Sequence, residues 1–333
     1  AVRLPHGGRV AALAASPLVA PTQGPVAASH DDADAHGCEH GGPGGPLDEV
    51  DLAAVQAAAR DVGRRGPAAA LEALRDADED LLPWVAGALL DDVARLCDLD
   101  LVQGLAALAS DPQASDVRRL LALELLGRSP GTDVAATGAL RALATDAALD
   151  ETLRASAVGA VSLLARTRED LVEVTRAALL EAAASVPSVP LRADALAGVR
   201  TVGASSGEVA RLAAFLADPD ADVRATAARA LGGADARERA AVAAALERAL
   251  AVEDDPAPAA AMLAAAVLTG RAQADALLAR LQAAPLVRAD AGLSRQVADY
   301  RALLAEGETD PHRVLRALDA REDARLAGLA PSG

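Results

Sequence analysis

Residues 212–233 read LAAFLADPDADVRATAARALGG, two short alanine- and leucine-rich segments joined by a DPDADVR turn. Leu212, Phe215 and Leu216 recur at i, i+3 and i+4, which gives the first segment one apolar helical face. Asp218-Pro219 stops that helix, because a proline ring disfavours the α conformation of the residue before it. Asp220 or Asp222 is placed to cap the next helix by accepting from its unpaired N–H groups. Val223, Ala227, Ala230 and Leu231 make a second apolar stripe, and Gly232-Gly233 closes it. Neither helix is long or apolar enough to be stable alone. Such a unit needs neighbours of its own kind.

The chain supplies them. LASDPQASDVRRLLALELLG (108–127) repeats the Asp-Pro turn, the Asp-Val-Arg opening and the glycine ending of LADPDADVRATAARALGG (216–233). Weaker copies open at Leu153-Arg154-Ala155 and Leu191-Arg192-Ala193. Arg118, Arg154, Arg192 and Arg224 thereby recur at spacings of 36, 38 and 32 residues, which suits two-helix units with loops of unequal length. From Leu47 onward the pattern is helical and nothing reads as a strand. Expected helices fall near 47–62, 67–76, 80–96, 99–110, 115–127, 133–145, 150–165 and 168–184. The series continues near 190–203, 206–217, 221–232, 236–251, 256–269, 271–283, 290–305 and 311–328. Short antiparallel helices with tight Pro/Gly turns predict an all-α fold, an α-solenoid.

The repeated Asp-Pro, Asp-Val-Arg and Ala/Leu pattern resembles HEAT repeats, including the bacterial HEAT-like class of armadillo-type solenoids. The resemblance is best over about 98–270, with helical but degenerate flanks at 47–97 and 271–329. It implies that Pro112 and Pro219 mark the turn inside a helix pair. It also implies that Asp and Arg at the start of second helices form a ladder between neighbouring repeats. Asp116, Arg118, Asp222 and Arg224 match that pattern in full, and Arg154 and Arg192 match the arginine alone. The family's second helices line a concave surface that binds a partner. On this reading there are six or seven helix pairs, and the arginines fasten repeats rather than form a ligand groove.

Composition closes several functional classes. The chain has 333 residues, is 52% hydrophobic yet 1% aromatic, and contains no Lys, Asn or Ile. Without lysine there is no P-loop lysine, no kinase-type ATP lysine and no Schiff-base lysine. A net charge of −16 opposes nucleic-acid binding by phosphate neutralisation and favours protein partners with basic surfaces. No run is long enough to span a membrane, so membrane insertion is not expected.

Residues 1–46 differ from the rest. Arg3 and Arg9 precede an alanine-rich apolar run, which loosely resembles a secretory signal over 1–28; a disordered Ala/Pro tail is the alternative, and cytoplasmic placement is favoured over export. His30, His36, Cys38 and His40 follow among carboxylates, ahead of the GGPGGP linker at 41–46. Imidazole and thiolate suit zinc or another transition metal, and four such ligands can close a tetrahedral site. The H-x5-H-x-C-x-H spacing is no zinc-finger signature and has no hydrophobic support, so an inert polar tail is the competing reading.

Of five histidines only His312 lies in the helical array, and it is expected to be exposed at a helix start. Cys97, Phe215 and Tyr300 read as core, and Trp84 as packing between the first helices or as a partner anchor. The domain reading is therefore a tail at 1–46 and a solenoid at 47–333. The expected function is a non-enzymatic scaffold or adaptor binding another protein on its concave face. An exported metal-binding protein using the His/Cys tract is one alternative, and a HEAT-like lyase, by fold analogy alone, is another.

Overall fold

The computed structural model describes residues 98–205 and 207–306, most of 61–92, Ala57, Asp310 and 312–317. Residues 1–46 with His30, His36, Cys38 and His40 lie outside the described residues. So do most of the expected helix at 47–62, Cys97, and 318–333. Among the described residues every regular element is a helix.

The described residues fall into two compact units, one within 57–92 and the other from 98 onward. In the first, α1 (Pro67–Asp76) packs on α2 (Leu82–Asp92), with Ala70, Leu74, Leu82 and Leu89 buried. Trp84 on α2 is half-buried.

The second unit begins with α3 (Leu99–Ser110), α4 (Asp116–Arg128), α5 (Val134–Thr145), α6 (Glu151–Thr167), α7 (Val172–Ser185) and α8 (Val189–Val202). It continues with α9 (Val209–Ala214), α10 (Ala221–Gly232), α11 (Arg239–Leu250), α12 (Pro256–Val267), α13 (Arg271–Leu281), α14 (Pro285–Ala289) and α15 (Ala291–Ala305). These helices pair as α3/α4, α5/α6, α7/α8, α9/α10, α11/α12 and α13/α15, six pairs among the described residues. Second helices stack in one row, α4–α6–α8–α10–α12, with α15 against α12. First helices form the other layer, with α3, α5 and α7 in one run and α9, α11 and α13 in another. Extensive packing is confined to a helix's own pair and the adjacent one, which is the nearest-neighbour plan of an α-solenoid.

Aspartates fix where the helices start. Asp98, Asp133, Asp150, Asp220, Asp255 and Asp290 each cap a helix by accepting from a backbone N–H in its first turn. Of the two capping candidates before α10, Asp220 does the work: its Oδ1 accepts from Asp222 N at 2.9 Å and Val223 N at 3.2 Å. Asp220→Ala is expected to lower stability by about 1 kcal/mol. Asp222→Ala should be close to neutral, and urea denaturation of the two variants checks the contrast.

Small side chains set the spacing of the second-helix row. A Cβ on Gly127 (α4) would lie 2.9 Å from Ala160 Cα of α6, and one on Gly198 (α8) 2.4 Å from Ser162 Oγ of α6. A Cβ on Gly232 (α10) would lie 2.7 Å from Leu268 Cδ1, just past the end of α12. These glycines therefore serve close approach. Gly233, expected to end α10, has φ −85, so it is not a left-handed terminator. Its missing Cβ instead leaves room beside Arg200 O and Gly203. Gly203 does take a positive φ of 73, and the loops after α8 and α10 are joined by Asp235 N donating to Ala204 O at 3.1 Å.

Two local readings change. Phe215, expected in the core, is half-buried while Leu212 and Leu216 are buried. The α9 helix stops at Ala214 and tightens into a 3₁₀ turn over Phe215–Ala217, which alters the angle between successive side chains. The loop at Pro285 holds a short helix, α14, with proline at its first position, where its missing N–H costs nothing. Tyr300 is buried as expected, and its hydroxyl accepts from Gln296 Nε2 at 3.0 Å.

Candidate functional site

Counting from the caps of the second helices puts the arginines in register. Arg154, Arg192 and Arg224 each stand four residues after a cap (Asp150, Ser188, Asp220). In α4 the cap is Ser115, so the equivalent residue is Arg119 and not Arg118. The sequence register slipped by one here because Asp-Val-Arg sits one position earlier relative to the cap.

The acids of the ladder also differ from expectation. Arg224 holds Glu253 through two parallel bonds, Nε to Oε2 and Nη2 to Oε1, both 2.9 Å. Its Nη1 donates to the carbonyls of Asp218 at 2.9 Å and Pro219 at 3.1 Å. Arg192 Nη2 donates to Asp218 Oδ1 at 3.0 Å. Asp218 and Glu253 both stand two residues before the next second-helix cap, so each pair crosses from one repeat to the following one. Asp222, the expected partner, is exposed in the first turn of α10. The acid that faces each arginine across the seam is the loop residue two before the next cap, not the first-turn aspartate of a neighbouring second helix.

Burial works against the charge of Glu253, but its bonds from Arg224 and from the Asp255 and Asp254 amides hold its carboxyl below the ordinary value. The first-helix layer has a related bridge: Arg176 Nε on α7 lies 2.5 Å from Glu208 Oε2, just before α9. Burial likewise works against the charge of Glu208, but bonds from the Ser205 hydroxyl and amide and from Arg176 hold its carboxyl below the ordinary value. Arg168 joins loops of successive repeats by donating to the carbonyls of Pro130 and Thr132.

The accessible face of the second-helix row repeats in the same register. Positions two, six and nine after each cap give Thr152, Ser156 and Gly159 on α6, then Pro190, Asp194 and Ala197 on α8. They give Asp222, Thr226 and Arg229 on α10, and Ala257 and Ala264 on α12. The strip is made largely of small side chains and carries few charges. Asp194 is its one carboxylate with a raised pKa, and desolvation is the cause. Ionised Asp194 therefore costs stability in the folded state at neutral pH. Asp194→Asn is expected to raise Tm slightly at pH 7, with the gain shrinking as pH falls and vanishing below the unfolded value of 3.8, where the wild-type carboxyl is protonated in both states. Thermal melts across that range test it.

His312 is exposed, with its amide donating to Asp310 Oδ1 at 2.9 Å, and is the sole histidine among the described residues. Among those residues no group of three or more His, Cys, Asp and Glu is placed to hold a metal ion. No helix among them is long and apolar enough to cross a membrane. The chain matches no protein-family model, and no curated protein is significantly similar to it.

Proposed function

We propose that the chain is a non-enzymatic scaffold of the HEAT-like kind, holding another protein along its row of second helices. The observation that carries this reading is the in-register strip of small, accessible side chains on α6, α8, α10 and α12. Small residues let a partner's backbone or side chains approach closely over several repeats, and repetition multiplies weak contacts along one face. Second helices are also the layer with which the resembling family binds. With a net charge of −16, a partner presenting basic side chains is favoured.

The test places a bulky side chain on each layer. Ala197→Trp on α8 should release a captured partner while far-UV circular dichroism is unchanged. Ala177→Trp, on the exposed side of α7 in the first-helix layer, should retain it. Release by the α7 variant alone would overturn the proposal.

A further inference from the structure

Within the arginine ladder two rungs lack the loop acid. Arg119, whose equivalent position is Ala148, is held by Ala109 O at 3.0 Å and by Asp116 at 3.7 Å, whereas Arg154 has neither. Arg192 and Arg224 each meet a carboxylate two residues before the next cap, Asp218 and Glu253. For Arg154 the equivalent position, two residues before the Ser188 cap of α8, is Val186, itself buried. Arg154 is only 9% exposed, its Nε is buried without a hydrogen-bond partner, and among the described residues its guanidinium makes no hydrogen bond or ion pair. An arginine cannot shed its charge, so burying it without an acid is costly.

The acids nearby are committed elsewhere. Asp150 is capped onto Thr152 N at 2.8 Å and exposed; that backbone bond, more than the field of Arg154, lowers its carboxyl. Glu151 accepts from the Ser188 hydroxyl, which also shows that the first turn of α6 adjoins the loop before α8.

We propose that Arg154 is a receptor point for a carboxylate supplied from outside the chain, seated at the α6 N-terminus beside the Val186–Ser188 loop. The fork of the guanidinium matches a carboxylate with two parallel bonds, the geometry that Arg224 and Glu253 show two repeats on. The carboxylate comes either from a free small acid or from a Glu or Asp side chain of a polypeptide.

The experiment follows the Nε–H resonance of Arg154 by ¹⁵N NMR in the full chain, assigned by its loss in Arg154→Met. Sodium acetate and the capped peptide acetyl-Ala-Ala-Glu-Ala-Ala-amide are titrated against chloride at equal ionic strength. The expected result is a saturable shift with at least one probe. Response to both marks a site open to free acids, and response to the peptide alone marks a polypeptide ligand. Val186→Asp restores the missing acid in cis and should abolish the response, with Arg154 already at the shifted position. No saturable shift in the wild type overturns the proposal, whether or not Val186→Asp folds. A Val186→Asp protein that folds and responds like the wild type overturns it equally.

Discussion

Gly127→Val is expected to destabilise the second unit by about 3 kcal/mol, at the upper end of the overpacking range. Even the first added carbon would stand 2.9 Å from Ala160 Cα, which is backbone and cannot rotate away. The α4 and α6 helices must separate, and the apolar packing between them, helices that bury Leu123 and Leu126 on α4 and Ala157 and Val161 on α6, is loosened with them. Gly159→Ala is the control. That glycine is exposed on α6 with nothing within 4 Å of its would-be Cβ, so alanine should stabilise by about 0.5–1 kcal/mol through helix propensity. Opposite signs for two glycines 32 positions apart, read from urea denaturation, identify close approach as the reason for the first.

Glu253→Ala should cost about 3 kcal/mol, because it strands Arg224 at a seam where the two side chains are 14% and 2% exposed. It also frees the amides of Asp254 and Asp255, which Glu253 Oε1 accepts at 3.2 and 3.0 Å. Replacing both partners, Arg224→Met with Glu253→Leu, should cost much less than the sum of the single changes, since no charge is left uncompensated. The sign of the pH effect follows from the lowered carboxyl. A depressed acid stabilises the fold above its unfolded pKa near 4.5, and the contribution is lost as pH falls through the folded value. Wild type should therefore lose stability below pH 4.5 more steeply than the double variant, with Glu208 adding to the slope in both.

The helices were legible in the sequence because their boundaries are written in local chemistry. Asp218-Pro219, the capping aspartates and the i, i+3, i+4 stripes act within one turn, and α10 spans Ala221–Gly232 as its pattern predicts. The pairing of Arg224 with Glu253 was not legible. The two lie 29 residues apart, and the acid belongs to a loop whose place against α10 is set by packing between repeats. The same limit hid Arg119 behind Arg118, since a one-residue offset from the cap rotates a side chain by about 100° around the helix. Gly127 and Gly198 could be seen as glycines, yet only the distance to α6 says why alanine does not serve. The metal-capable tract at His30, His36, Cys38 and His40 falls outside the described residues, and its reading rests on composition alone.

In the second unit each helix pair is held by its immediate neighbours. Native-state hydrogen exchange on Glu253→Ala tests it most directly. Protection should fall in α10, α11, α12 and α13, the helices around the broken rung, while amides of α3 to α6 keep their wild-type rates. An equal loss of protection from α3 through α15 would contradict the account, because it would make the unit one cooperative core rather than a chain of coupled repeats.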